Sequence, residues 1–508
     1  MFAKINSSYL YGISGVGVEV ECDVSSYGLP SFSIVGLGDN AIKESKDRVK
    51  SALKNLDHHY FNHPITINLA PADMKKDGSH FDLPIAISIL KAVGVIEKDT
   101  DEFLIIGELS LDGKLRGVSG VLSMVEYAII NGIKKIILPF DNMAEAALVP
   151  EAEVYGFHEL ADVIGFLRGD IEKSPYISDK EADILNNDLY DADFRDVRGQ
   201  FQARRAAEVS ACGMHNFIMI GSPGSGKTMI ARRIPSILPP MTLQESLECT
   251  KIHSVAGLIK DSGSLIKKRP FISPHHTSSN IAIIGGGSKA SPGNVSLASG
   301  GILFLDEMLE FSRSVLEVLR QPMEDRFVTI ARAGKTVTYP AKFMLIGAMN
   351  PCPCGYLGDN RKACTCSQNM IERYRAKLSG PMLDRIDLIS RVEAVDYKDL
   401  MDIKEGEPSE VIRQRVIEAH EIQANRFKNE NILYNSEMNE SMVRKYCHLD
   451  SDAEKTLEVI MNKYNISARS YSKILKTSRT IADMAHSNDI TKSHILEAFQ
   501  MKLPDSAI

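Results

Sequence analysis

The sequence predicts a chain of the α/β class, made of two mixed domains and a closing helical segment, and three observations predict it. Short β-type runs alternate with helical patterns over most of the chain, a polar, acid-rich stretch interrupts them near residue 180, and the last hundred residues read almost wholly as helix. A length of 508 residues also exceeds what one hydrophobic core serves. The apolar and charged fractions, 44% and 25%, are those of a folded globular chain and exclude a disordered or fibrous one.

Residues 1–172 form the first expected domain. Strand-like runs at 17–24, 33–35 and 65–69 alternate there with helical patterns at 41–56 and 83–92, and Asp112-Gly113 and Asn131-Gly132 mark turns. Residues 173–192 lack periodicity and read as a linker. In 193–395, apolar runs at 216–220, 301–305 and 343–348 are separated by helical segments, the pattern of a parallel sheet covered by helices. Residues 396–508 carry amphipathic patterns at 452–463, 468–486 and 492–501, expected to form a helical lid.

No uncharged stretch approaches the roughly 20 residues of a membrane helix, so a cytoplasmic protein without membrane contact is expected. Eight cysteines in so long a chain make no disulfide scaffold, and in a reducing compartment clustered ones point to metal. A net charge of -7 argues against an indiscriminate basic coat, yet permits a local basic lining.

The chemistry begins at Gly221-Ser222-Pro223-Gly224-Ser225-Gly226-Lys227-Thr228, which fits G-x-x-x-x-G-K-[ST] and stands after an apolar run and before a helical one. Glycines let backbone N–H groups curl around phosphate oxygens, Lys227 neutralises the β and γ phosphates, and Thr228 ligates magnesium. ATP and Mg2+ are therefore the expected cofactors. The apolar run ending in Asp306-Glu307 supplies a second metal ligand, Asp306, and a carboxylate, Glu307, to polarise the attacking water. A third run ends at Asn350, whose neutral amide suits the lytic water or the γ-phosphate.

This order, followed by Ser379-Gly380-Pro381-Met382-Leu383-Asp384-Arg385-Ile386-Asp387, resembles AAA+ ATPases of the magnesium-chelatase-like branch, and most closely the YifB/ComM family. Family-like strings include Asn68-Leu69-Ala70-Pro71-Ala72-Asp73, Pro274-His275-His276 and Asn350-Pro351-Cys352-Pro353-Cys354-Gly355-Tyr356. The resemblance implies that Asn350 is sensor 1, that Arg385 is an arginine finger reaching a neighbouring subunit's γ-phosphate, and that Arg469 is sensor 2. It further implies a homo-oligomer, a hexameric ring, moving on DNA in branch migration or unwinding during recombination or natural transformation. The alternative is a chelatase-type motor or another protein-remodelling ATPase; against the chelatase stands the first domain, which chelatase motors are not expected to carry.

Within that domain, Lys76-Asp77-Gly78 and Gly107-Glu108-Leu109-Ser110-Leu111-Asp112-Gly113 resemble the Lon protease domain, an S5-like α/β fold with a Ser/Lys dyad. Matching Asp77-Gly78 to that family's Asp-Gly-Pro-Ser puts His80 at the nucleophile position and Ser79 one place early. Matching Gly120 puts Leu122 where the lysine belongs. A serine without a base is a poor nucleophile, so a Lon-like fold without proteolysis is expected.

Cys352, Cys354, Cys364 and Cys366 form C-x-C-x9-C-x-C, enough thiolates for a closed structural Zn2+ shell. The single residue between each pair departs from the usual two to four, and free thiols are the alternative. For DNA, the alternating run at 326–339 reads as a hairpin with Arg332 and Lys335 near its tip, and Lys267-Lys268-Arg269 form a second basic group. Solvated surface charge is the plain alternative for both.

Overall fold

Period-two patterning opens the chain. Strands β1 (Phe2–Tyr11) and β2 (Ser14–Val24) pair antiparallel over their full lengths, from Phe2 opposite Asp23 to Tyr11 opposite Ser14, and the tight turn between them uses Gly12 at φ +67°. The computed structural model describes all residues except 37, 39, 73–75, 77, 178–189, 191, 260–264, 288, 289, 333, 334, 394–404, 465 and 503–508. The chain packs as two units. The first holds Met1–Asn186, Leu243–Ile266 and Ala333–Thr338; the second holds Asn187–Thr242, Lys267–Arg332 and Tyr339–Ile508.

In the first unit, β1 and β2 join β3 (Ser31–Val35), β4 (Pro64–Ala70), β5 (Phe103–Ile105), β6 (Lys135–Pro139) and β7 (Glu153–Phe157) in a seven-stranded mixed sheet, order β3-β4-β2-β1-β5-β6-β7. Side-chain alternation divides its core. Phe103, Ile105, Ile137 and Tyr155 pack in one cluster with Val49 of α1 (Asn40–Asn55), Leu83 and Ile87 of α2 (Asp82–Ala92) and Val163 of α4 (Leu160–Arg168), whereas Leu104, Ile136, Leu138 and Val154 pack in another with Val121 and Val125 of α3 (Val121–Ile130). Both faces of the parallel half are thus covered, which is why its strands read as unbroken apolar runs.

Two segments of the domain expected over 193–395 pack in the first unit. A helix, α5 (Leu243–Val255), packs in the first unit: Lys251 Nζ donates to Glu126 Oε1 at 2.5 Å, Ser254 Oγ to Glu145 Oε1 at 2.6 Å, and the Gly120 N–H to Ser254 Oγ at 2.9 Å. Residues 333–338 join the same unit, where the Tyr11 hydroxyl donates to the Thr336 carbonyl at 3.1 Å. Of the expected linker, 178–189 and 191 lie outside the described residues, but the Tyr176 N–H bonds the Val154 carbonyl at 2.8 Å and so extends the edge at β7.

The second unit is built on a wholly parallel five-stranded sheet: β8 (Phe217–Ile220), β9 (Phe271–Ile272), β10 (Ile302–Leu305), β11 (Met344–Met349) and β12 (Leu388–Arg391), in the order β9-β10-β11-β8-β12. Strands far apart in sequence are therefore neighbours. Ile220 lies opposite Met349, and Leu305 opposite Gly347, so three strands end side by side. Five helices follow among the described residues, α6 (Ser409–Arg426), α7 (Glu440–Tyr446), α8 (Ser451–Tyr464), α9 (Ala468–Met484) and α10 (Lys492–Gln500). One continuous core runs from Phe217 and Ile346 of the sheet to Ile412, Leu457, Ile481 and Ile495 of these helices. At about 1.5–3 kcal/mol for each such buried side chain, the lid is fixed to the sheet. Among the described residues, no helix is long and apolar enough to cross a membrane.

Candidate nucleotide site

In open parallel sheets, ligands bind outside the carboxyl ends of the strands, and here the polar residues gather at those ends. After β8 the chain turns through Gly224 at φ +75° and Gly226 at φ +96°, left-handed conformations that glycine adopts freely, and enters a short helix, Lys227–Ala231. Nothing lies within 4 Å of where a Cβ on Gly224 would stand, and the buried Ser225 hydroxyl has no hydrogen-bond partner. An open backbone cradle with an unpaired buried donor fits a phosphate group.

Lys227 is buried, and its Nζ donates to the Gly221 and Ser222 carbonyls at 2.7 and 2.9 Å and to Asn350 Oδ1 at 3.3 Å. Those oxygens occupy the ammonium's donors as phosphate oxygens do. Burial lowers its pKa from the ordinary lysine value, although Asp306 and Glu307 pull the other way. The Thr228 hydroxyl donates to Asp306 Oδ2 at 2.8 Å, so the two groups expected to bind Mg2+ already touch. Glu307 stands at φ +49° with a side chain 58% exposed, free to face solvent and a water nucleophile. The structure therefore brings Lys227, Thr228, Asp306 and Asn350 together, with Glu307 beside them.

The two arginines lie apart from this group. Arg385 donates to the Arg320 carbonyl at 3.1 Å, to the Pro381 carbonyl at 2.7 Å and to the Glu324 carboxylate. Arg469, 71% exposed, donates to Asp384 Oδ2 at 3.1 Å, so it meets the segment carrying Arg385 and not the phosphate loop.

Of the basic residues expected to meet DNA, Arg269 is corrected. It is buried, and its guanidinium donates to the Pro239 carbonyl at 2.7 Å and the Gly300 carbonyl at 2.7 Å. A side chain committed to carbonyls under the surface holds the fold and cannot face phosphate. Lys268 is exposed and Lys267 half-buried. Arg332 and Lys335 fall in a two-stranded ribbon, Phe327–Arg332 with Lys335–Pro340, but their side chains lie outside the described residues. The four cysteine sulfurs converge to within 4.8 Å of one another.

Sequence reasoning missed two neighbours of the site. His276 Nδ1 lies 3.7 Å from Glu307 Oε2, close enough to orient that carboxylate. Arg361 donates to Ser222 Oγ at 3.3 Å while paired with Asp359 at 3.0 Å. Ser222, Asn350, Asp359, Arg361, Arg375 and Arg391 line a cavity of about 300 Å³ at the mouth of the phosphate loop. In the first unit, Leu122 is fully buried and Ser79 donates to the Glu108 carboxylate, so a hydrocarbon stands where a dyad lysine would.

Three family models match in series: "Subunit ChlI of Mg-chelatase" over residues 20–142, "Magnesium chelatase, subunit ChlI" over 193–400, and "Magnesium chelatase, subunit ChlI C-terminal" over 406–502. The competence protein ComM of Haemophilus influenzae is 40% identical over 503 residues, covering 98% of this chain and 96% of that protein. Escherichia coli YifB is 40% identical over 496 residues, covering 97% and 96%. The DNA replication licensing factor Mcm6 of Drosophila melanogaster is 22% identical over 306 residues, 58% of this chain and 33% of that protein. With a glycine-rich loop, Thr228 bonded to Asp306, and Asn350 on adjacent strand ends, and with such identity along nearly its whole length, the chain belongs to the YifB/ComM family of magnesium-chelatase-like AAA+ ATPases.

Proposed function

We propose that this protein is a cytoplasmic ring ATPase, a hexamer, that couples ATP hydrolysis to movement on DNA, as branch migration or unwinding in recombination or transformation. The observation that carries the reading is the full-length likeness to a protein named for competence, joined by the partial likeness to a replication licensing factor. Lys227 holds the triphosphate, Thr228 and Asp306 hold magnesium, Glu307 takes a proton from the attacking water, and Asn350 fixes its direction. Held by Thr228 and Asp306, magnesium would supply neutralisation of the charge that develops on the transferred phosphoryl group.

Arg385 and Arg469 act from the adjoining subunit. Their shared position, through Asp384, supports that assignment, because both would then face the same neighbour's triphosphate. Lys335, Arg332, Lys267 and Lys268 supply phosphate contacts, repeated around the ring. The first unit guides assembly or DNA and performs no proteolysis.

A second reading, a motor that remodels a metal-inserting partner, is favoured by the descriptions of the three family models. The first domain does not count against it, since the family model matched by residues 20–142 is itself described as a chelatase subunit. ATP turnover with and without branched DNA separates the two. Stimulation that Lys335→Ala diminishes supports movement on DNA; turnover indifferent to every DNA form supports remodelling.

A further inference from the structure

Between the end of β11 at Met349 and the helix beginning at Gln368, no residue belongs to a helix or strand. A segment of this length next to a reacting centre has to be ordered by something other than backbone ladders, because each residue fixed costs about 1–2 kcal/mol of conformational entropy. It carries Asn350 at one end and all four clustered cysteines along it.

The sulfurs lie close enough to share one ion. Cys352 Sγ is 3.4 Å from Cys354 Sγ and 3.6 Å from Cys364 Sγ, and Cys354 Sγ is 3.6 Å from Cys364 Sγ. Tetrahedral zinc with bonds of about 2.3 Å requires sulfurs roughly 3.8 Å apart. The single-residue spacing that looked strained in sequence is therefore met, with both members of the first pair turned the same way. Two amides also point at sulfur: the Cys354 N–H donates to Cys366 Sγ at 3.3 Å and the Cys366 N–H to Cys364 Sγ at 3.5 Å, the outer support that thiolate ligands take. With Cys352 fully buried and four protein ligands, no position remains for substrate.

The same segment presses on the phosphate loop. Gly355, at φ +85°, lies so near that a Cβ on it would stand 2.6 Å from Pro223 Cδ, and Arg361 reaches the Ser222 hydroxyl at 3.3 Å. Arg361 is itself held by Asp359, at 3.0 Å, and Arg375 Nε donates to the Pro351 carbonyl at 3.4 Å. We propose that Cys352, Cys354, Cys364 and Cys366 bind one structural Zn2+, and that the knuckle so closed clamps the phosphate loop at Ser222 and Pro223, setting its grip on nucleotide. The clamp rests on the nucleotide reading above; the metal site does not.

The test uses the full-length protein, purified under reducing conditions without chelator. Elemental analysis is expected to give one zinc per chain, lost in Cys366→Ser, and a fluorescent ATP analogue binds the zinc-free variant more weakly. Arg361→Ala, which leaves every ligand in place, keeps its zinc and weakens the analogue about tenfold, the weight of one hydrogen bond to a charged group. Protein that carries no zinc and leaves Cys352, Cys354, Cys364 and Cys366 as free thiols, or carries iron instead, overturns the metal site. Zinc-loaded Arg361→Ala that holds the analogue as tightly as the parent overturns the clamp. A parent protein with full zinc and no affinity for the analogue sinks the nucleotide reading and the clamp together, while the metal site stands.

Discussion

The strand ends that carry Lys227, Thr228, Asp306 and Asn350 differ from the edge that carries Arg385 and Arg469 in how far one chain completes them. The first group is joined by direct hydrogen bonds, Thr228 to Asp306 at 2.8 Å and Lys227 to Asn350 at 3.3 Å. Each arginine of the second is occupied by a carboxylate of its own chain, Glu324 for Arg385 and Asp384 for Arg469. An exposed ion pair such as Arg469 with Asp384 is worth only about 0–1 kcal/mol. A triphosphate with its larger charge can displace such a partner, so the edge is poised for exchange whereas the strand ends are built in place. Under the proposed function, binding belongs to the single chain and hydrolysis to the assembly.

Substitutions sharpen that contrast, beginning with the most severe. Lys227→Ala removes the buried ammonium and is expected to abolish both nucleotide binding and turnover; retained affinity in a binding titration would break the assignment of the phosphate loop. Arg385→Ala is expected to lose turnover by about a thousandfold or more, the weight of an arginine finger, with affinity for ATP nearly unchanged. A parallel fall in affinity would instead make Arg385 part of the chain's own pocket. Asn350→Ala is expected to cost about a hundredfold in kcat, as for loss of one preorganised polar group, and its KM for ATP is expected to stay near the parent's.

The mildest effect is on pH. Burial lowers the Lys227 pKa in the free protein, and a bound triphosphate raises it again. The protonated amine therefore binds more tightly, and affinity falls as pH rises from the lowered value toward the ordinary lysine value of about 10.4. Calorimetry just below that ordinary value, in two buffers of different ionisation enthalpy, is expected to register proton uptake on binding. Proton release, or none, contradicts the buried-ammonium account.

How much of this was legible in the sequence follows from how far apart the partners lie. The phosphate cradle could be read directly, since one backbone turn makes it and its residues are consecutive. Asp306 and Asn350 could be read as strand ends, but their meeting depends on β11 lying between β8 and β10, an order set by packing and not by local pattern. Arg269 misled because a Lys-Lys-Arg run looks solvated, and only the tertiary structure supplies the Pro239 and Gly300 carbonyls that bury it. Arg361 had no local sign at all, and the string Pro274-His275-His276 gave none of what His276 faces, as their partners Ser222 and Glu307 lie in other segments. Helical segments are expected between the apolar runs at 216–220 and 301–305, but that α5 belongs to the first unit is decided by contacts such as Ser254 with Glu145. Periodicity tells which face of a helix is buried and is silent on which core buries it.

The most direct test of a site shared between subunits is to mix two inactive proteins. Lys227→Ala keeps the arginine edge and Arg385→Ala keeps the phosphate loop, so in a randomly mixed head-to-tail ring about a quarter of the interfaces pair two intact halves. Neither variant alone should hydrolyse ATP, and the mixture should regain up to that share of parental turnover. A mixture as inactive as its components, or Arg385→Ala turning over at the parental rate, would contradict the account.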